Sequence, residues 1–361
     1  MADSHYMTRA IELAQLGGGW VNPNPQVGAV IVKENCVIAE GYHARFGGPH
    51  AERVALEACG EAPERATLYV TLEPCCHTGK TAPCTEAIIT SGISKVVIGS
   101  GDPNPQVAGR GIELLRSAGI EVVTNCMQEE CDQINRIFFH YIKNKAPYVL
   151  AKYAMTADGK IATHTGASKW ITGEEARHNV HRQRDRYAAI MVGINTVLVD
   201  DPLLTCRIET GKNPLRVILD SSLKIPLDSQ IVKTSQEVPT LLVSTLNDSA
   251  KRQELEKHGC SVMLVPPKEG RVDLAFLLKE LGQLDIDSVL IEGGPTLLGS
   301  SFDEGLVQAV CCYLSPKVFG GSSAPSPVGG KGVNTPSEAY KLRRSTVKRF
   351  CEDFCIEGEV E

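Results

Sequence analysis

The sequence predicts two layered α/β domains in tandem, and three observations carry that reading. β-rich runs alternate with helical patterns through both halves. The 361 residues suit two domains, or three, at ~100–200 residues each. Turn signals in "NKAPYVL", residues 144–150, precede a new strand, so the boundary falls near 145, giving domains 1–145 and 146–361.

In the first domain "MTRAIELAQLGGG" reads as a helix closed by glycines. "VGAVIVKENCVIAEGYH" is two β-rich runs around "KEN", a hairpin. "HAERVALEACG" sets Ala51, Val54, Ala55 and Ala58 on one helical face. Strand "TLYVTLEPC", helix "CTEAIITSGI", strand "KVVIGS", helix "GIELLRSAG", strand "IEVVTN" and helix "EECDQINRIFFHYIK" follow. The second domain offers strands "YVLAKYA", "AAIMVG", "LRVILD", "TLLVST", "SVMLVP", "SVLIEGG" and "VCCYLS". Helices "GEEARHNVHRQRDR" and "LAFLLKELG" fill two of the gaps, and "GGSSAPSPVGGKG" at 320–332 has the composition of a mobile loop.

A net charge of −6 argues against a general binder of nucleic acid or anionic membrane, but leaves room for a small anionic substrate held by local Lys and Arg. No apolar run approaches the ~18 residues of a membrane span. The N-terminal stretch has Asp3 and Glu12 and no apolar core, so it reads as a first helix rather than a signal peptide, and the cytoplasm is expected. Thirteen scattered cysteines are then mostly small buried apolar residues, Cys311 and Cys312 among them, rather than a disulfide framework.

"LEPCCHTGKTAPC", residues 72–84, concentrates three cysteines and a histidine. A disulfide, a metal, a reactive thiol and chance are all open until "PHAE", 49–52, is added. His50 opens one helix, Cys75 follows a strand, and Cys84 opens the next helix, where thiolates are favoured. One His and two Cys make a three-ligand zinc site with an open fourth position, the mark of catalytic zinc. Glu52 is placed as general acid/base. Zinc nucleobase deaminases share this logic, as H-x-E followed by P-C-x-x-C. Here eight residues separate Cys75 and Cys84, not two. Cys76 reads as a bystander; His77 is a spare ligand, a substrate contact or loop surface.

"NPNPQVGAVIV", "GYHARFGGPHAE", "YVTLEPCCHTGKTAPC" and "DPNPQVAGRG" resemble the deaminase half of the RibD family of bifunctional riboflavin biosynthesis proteins. That family's loop between the cysteines is long, usually with Ser where this chain has Cys76 and Pro where it has Ala82. The resemblance implies a cytidine-deaminase-like three-layer α/β/α domain that deaminates a diaminopyrimidinone bearing a phosphoribosylamino group. Asn24, His43, His77 and Lys80 would line its substrate site.

The second half has no metal cluster and no G-x-G-x-x-G. "IEGGPTLLGSSF" brings a strand to two glycines and a helix start, which alone also fits an ordinary turn. "KYAMTADGKIATHTGASKWIT", "GINTVLVDDPLLTCR" and "LRVILDSS" resemble the RibD reductase half, of dihydrofolate-reductase-like fold, in collinear order. This implies NADPH-dependent reduction of the ribosylamino group to ribitylamino. By matching position the cofactor meets Ala154, Trp170, Thr172, Thr196, Asp200, Ser222 and the run Gly294, Pro295, Thr296, Leu297, Leu298, Gly299, Ser300. The substrate meets Ser168, Arg184, Leu204, Arg207 and Glu292, with Arg184 and Arg207 as a phosphate clamp. Lys152 and Asp200 are the ionisable candidates near the reaction.

These features together predict a two-site enzyme using zinc and NADPH, acting on a phosphorylated pyrimidine, as a homo-oligomer (dimer or tetramer). A nucleoside or tRNA deaminase would show a basic face on the first domain, and a zinc-stabilised interaction module would show four ligands and no glutamate at an open position.

Overall fold

The computed structural model describes residues 2–77, 82–105 and 107–361, and the chain divides into two units, Met1–Lys145 and Ala146–Glu361. In the first unit the elements are α1 (Ala2–Gln15), β1 (Gly28–Lys33), β2 (Cys36–Tyr42), α2 (Ala51–Glu57), β3 (Thr67–Leu72), α3 (Cys84–Thr90), β4 (Lys95–Ser100), α4 (Arg110–Ser117), β5 (Glu121–Val123), α5 (Gln128–Ile134) and α6 (Arg136–Asn144). The strands form one sheet in the order β2-β1-β3-β4-β5. β1 runs antiparallel to both β2 and β3, while β3, β4 and β5 are parallel.

Period-two alternation sorts the core into two layers. Ala29, Ile31, Leu68, Val70, Val96 and Ile98 face α2, α3 and α4 through Ala51, Ala55, Ile88 and Leu115. Val30, Val32, Tyr69 and Val97 face α1 and α5 through Met7, Ala10, Leu13 and Cys131. The β1–β2 hairpin turns at Glu34 and Asn35, with φ of 51° and 62°, as a right-twisted two-residue hairpin requires. The single helix expected over 129–143 is two. Asn135 breaks it, because its buried amide clamps Gln26, accepting from the main-chain N at 2.8 Å and donating to the carbonyl at 2.9 Å.

The second unit contains β6 (Tyr148–Thr156), α7 (Glu174–Arg186), β7 (Ala189–Gly193), α8 (Ile194–Asp200), β8 (Leu215–Leu219), α9 (Gln230–Lys233), β9 (Thr240–Ser244), α10 (Ser249–Lys257), β10 (Ser261–Leu264), β11 (Pro267–Lys268), β12 (Arg271–Val272), α11 (Leu274–Gln283), β13 (Ser288–Ile291), α12 (Pro295–Asp303), β14 (Ala309–Ser315), β15 (Leu342–Phe350) and β16 (Asp353–Val360). Nine strands form one sheet, β10-β9-β8-β7-β13-β6-β14-β16-β15. It is parallel from β10 to β14 and antiparallel through β16 and β15. The inner parallel strands β7, β9 and β13 are short apolar runs buried on both faces, as crossover helices require.

The sequence reading lacked the β15–β16 hairpin. β15 is an outer strand exposed along most of its length and carries Arg343, Arg344, Lys348 and Arg349, the charged character that protects an edge. Loop 320–332 is tied down rather than free. Gly329 N donates to Pro295 O at 3.0 Å, Lys331 N to Asp303 at 2.8 Å, and Ala324 is buried. Among the described residues no helix is long and apolar enough to cross a membrane.

Candidate active sites

Gly41 on β2 lets α2 lie directly on the sheet, since a Cβ there would stand 2.5 Å from Ala51 O and Ala55 N. That contact brings His50, the N-cap of α2, to the same sheet edge as Cys75, just past β3, and Cys84, the first residue of α3. His50 Nδ1 lies 3.5 Å from Cys75 Sγ and 3.3 Å from Cys84 Sγ, and all three donor atoms fall within 4.8 Å of one another. A tetrahedral zinc with bonds of ~2.0–2.3 Å places N and S ligands about 3.5 Å apart, so the donor set fits zinc in chemistry and spacing. Hydrogen bonds from Cys84 and His50, against burial, hold the Cys75 thiol down at about 4, the thiolate form a metal takes.

Glu52, one helical step along α2, is buried against this cluster. Burial and then Cys75 push its carboxyl above the usual range. His43 is also buried, its ring 5.6 Å from that of His50. Pro49 O, 2.9 Å from His43 Nδ1, can only accept, so Nδ1 carries the proton and Nε2 accepts from Asn24 Nδ2 at 3.2 Å. Burial also pushes the His43 imidazole down, keeping it neutral. Asn24 is thereby oriented by a fixed histidine. His77 is exposed, Cys76 half-buried, and Lys80 lies outside the described residues.

Two acidic residues here escaped the sequence reading. Glu73, inside "EPC", is buried and receives main-chain N–H groups from the start of α4. Asp102 follows β4, and burial first, then Glu73, pushes its carboxyl up to about 6. Neither lies at a ligand spacing, so the sequence offered no role for them.

In the second unit Glu292, just past β13, joins two cations. Arg184 on α7 grips it bidentately, Nε at 2.8 Å and Nη2 at 3.1 Å, and Lys152 on β6 reaches it at 3.2 Å. Burial opposes ionisation, but Arg184 and Lys152 hold the Glu292 carboxyl down at about 2. The third arm of Arg184 donates to Thr205 O at 3.0 Å, so Arg184 is engaged with Glu292 and backbone rather than open to a phosphate clamp. Arg207 is exposed and donates to His181 Nε2 at 3.2 Å. Burial, then Arg184 and Arg207, lower the His181 imidazole to about 4. His181 was missed, although its i,i+3 spacing to Arg184 on α7 was readable.

Ala154 shares a face of β6 with Lys152. Trp170 is 61% exposed with the Arg177 guanidinium 4.6 Å from its ring centre, so it is not a core residue. Thr172 and Leu204 are buried, Ser168 and Asp200 half-buried, and Ser222 exposed.

A cleft of about 940 Å³ opens at the carboxyl ends of β7 and β13, lined by Thr196, Gly294, Pro295, Thr296, Leu297 and Ser300 of the expected cofactor residues. Leu298 instead packs in the core, and the Cα of Gly299 abuts Gly329 and Gly330, where a Cβ would stand 2.3 Å from backbone. Ala154, Trp170, Thr172, Asp200 and Ser222 are outside the lining. The N-caps of α8 and α12, Gly193 and Gly294, have no side-chain cap, and a Cβ on either would meet nothing within 4 Å. Their bare backbone faces the open cleft, and Arg271 and Lys331 line it too. A volume of this size with free N–H groups and cations fits a dinucleotide phosphate such as NADPH.

The family model for the "Cytidine and deoxycytidylate deaminase zinc-binding region" matches residues 1–100, and that for the "RibD C-terminal domain" matches 147–356. The chain is 51% identical to riboflavin biosynthesis protein RibD of Actinobacillus pleuropneumoniae, over 99% of this chain and 95% of that one. It is 38% identical to RibD of Escherichia coli K12, over 99% of each. Among solved structures, a Thermotoga maritima deaminase/reductase superposes with a TM-score of 0.88 at 40% identity, covering 100% of this chain and 99% of that one. Acinetobacter baumannii RibD superposes with a TM-score of 0.89 at 36% identity and the same coverage. The chain belongs to the RibD family, the bifunctional deaminase–reductases of riboflavin biosynthesis, with a zinc-binding deaminase domain and a reductase domain that uses NADPH.

Proposed function

We propose that the chain acts on the compounds named for the Thermotoga maritima relative, a diaminohydroxyphosphoribosylaminopyrimidine deaminase and 5-amino-6-(5-phosphoribosylamino)uracil reductase. The first unit, residues 1–145, hydrolyses the 2-amino group of 2,5-diamino-6-(5-phosphoribosylamino)pyrimidin-4(3H)-one. The second, residues 146–361, reduces the product to 5-amino-6-(5-phosphoribitylamino)uracil. The observation that carries the reading is the His50–Cys75–Cys84 cluster with Glu52 buried against it.

His50, Cys75 and Cys84 hold the zinc. When bound, zinc supplies Lewis acidity that makes water nucleophilic near pH 7. Glu52 would carry one proton from the attacking water to the ring nitrogen and then a second, from the hydroxyl so added, to the amine, which leaves as ammonia as the carbonyl forms. Asn24, oriented through His43, keeps its side-chain oxygen available to accept from the pyrimidine edge. His77 and Lys80 complete the substrate site.

In the second unit, bound NADPH supplies the hydride. Thr196, Gly294, Pro295, Thr296, Leu297 and Ser300, which line the cleft, would hold the cofactor, with Ala154, Trp170, Thr172, Asp200 and Ser222 as its further expected contacts. Ring opening of the ribosylamine gives an imine at C1. Lys152 stands beside Glu292 to protonate the nitrogen as C1 is reduced, and Asp200 is the second candidate for proton transfer. Glu292, fixed by Arg184, accepts from sugar hydroxyls beside Ser168 and Leu204. Arg207, exposed where Arg184 is not, holds the substrate phosphate.

The protein is proposed to be a homo-oligomer, dimer or tetramer, which light scattering checks. Its thirteen cysteines, all free thiols, suit the cytoplasm. The functional reading is tested by NADPH absorbance. Loss of absorbance with the deaminated ribosyl phosphate supports it, and no loss refutes the reductase assignment.

A further inference from the structure

The start of α4 carries no cap of its own. Its N-cap is Gly109, with φ 81°, and no side chain there accepts the free N–H groups of the first turn. A residue distant in sequence does. Glu73 Oε1 accepts from Gly111 N at 3.0 Å and Ile112 N at 3.3 Å; Oε2 accepts from Gly109 N at 3.0 Å and Asp102 N at 3.4 Å. Glu73 is itself fixed by its own N–H, which donates to Ser100 O at 2.9 Å. A carboxylate facing three N–H groups at a helix start, and a fourth from the loop before it, gains both hydrogen bonds and the helix dipole.

The clamp sits two residues from a zinc ligand. Between them Pro74 presses its carbonyl onto Gly111, where a Cβ would stand 2.3 Å away. Beyond them Cys75 O accepts from Thr85 N at 3.2 Å and Thr85 Oγ1 at 3.3 Å, which ties the same segment to α3 and Cys84. Cys75 is therefore held from both sides, by α4 through Glu73 and by α3 through Thr85. We infer that Glu73 is a positioning residue of the deaminase: it seats Cys75 at metal-binding distance from His50 and Cys84 and sets the loop bearing Asp102 beside it. Groups that orient ligands from behind typically change metal affinity 10–100-fold when altered.

The inference rests on the zinc reading, and the experiment separates the two. Full-length Glu73→Gln presents two amide donors to backbone donors. Zinc retention against a competing chelator is measured, together with the visible spectrum of the cobalt-substituted protein, which reports ligand geometry rather than stability. The expected result is ~10-fold or greater loss of zinc retention, a shifted cobalt spectrum, lowered deamination and unchanged reductase activity. Glu73→Asp keeps all the acceptors on a shorter arm and should fall between wild type and Glu73→Gln; it decides the matter alone if Glu73→Gln does not fold. Wild-type zinc retention and cobalt spectrum in either folded variant overturn the inference and leave the zinc site standing. A wild-type protein that holds no zinc overturns the reading beneath it.

Discussion

The main-chain N–H of Cys84 donates to the sulfur of Cys75 at 3.3 Å, so the first residue of α3 supplies one proposed ligand and steadies the other. Cys75→Ser removes a thiolate that this geometry is built to receive. Metal analysis should find about one zinc per chain in the wild type and little in the variant. Deamination should be lost while reductase activity on supplied deaminated substrate persists. Full zinc occupancy in Cys75→Ser would show the ligand set to be wrong.

Glu52→Gln separates proton transfer from metal binding. The amide keeps the size of the side chain but cannot carry a proton between water, ring nitrogen and leaving amine. Zinc content should be normal and the deamination rate lower by ~10²-fold or more. A rate within about threefold of wild type would remove Glu52 from the mechanism.

Glu292 makes an acid-stability prediction. Its carboxyl is lowered from the ordinary 4.5 to about 2, so the unfolded chain takes up this proton first as pH falls. The ion cluster therefore stabilises the fold fully above pH 4.5, and its contribution is lost as pH falls from there through about 2. At 1.36 kcal/mol per pKa unit the loss is roughly 3 kcal/mol. Denaturant unfolding at pH 6 and about pH 3 should show wild type losing stability relative to Glu292→Gln. Parallel pH dependence in the two proteins would contradict the assignment.

Gly294→Val and Arg207→Ala should injure different ligands. At Gly294 a Cβ meets nothing and φ is −75°, so valine is tolerated by the fold but enters the cleft. Equilibrium titration should show NADPH binding weakened by ~10-fold or more with substrate binding unchanged. Arg207→Ala should weaken the phosphorylated substrate and spare NADPH. Both variants weakening the same ligand would contradict the placement of the two subsites.

The gathering of His50, Cys75 and Cys84 was legible because their residue types, spacing and element order are local facts of the sequence. The alternating strands of the first unit were legible for the same reason, with Ile31 and Val32 declaring opposite faces. Glu73 was not legible, because its partners at Gly109, Gly111 and Ile112 are more than thirty residues away. The Arg184–Glu292 pair spans 108 residues, so the sequence offered Arg184 as a phosphate ligand without showing that its donors were already engaged. The β15–β16 hairpin was hidden by charge, since β15 earns its place through pairing with β16 rather than through burial.

The most direct measurement is product mass after incubation with 2,5-diamino-6-(5-phosphoribosylamino)pyrimidin-4(3H)-one, with and without NADPH, for wild type and Glu52→Gln. Wild type without NADPH should exchange one amino group for an oxo group and release ammonia. With NADPH the product should gain two further hydrogens, with labelled hydride at C1 of the sugar chain. Glu52→Gln should leave the substrate unchanged without NADPH, yet reduce supplied deaminated compound at the wild-type rate. Deamination by Glu52→Gln, or labelled hydride on the pyrimidine ring, would contradict the account.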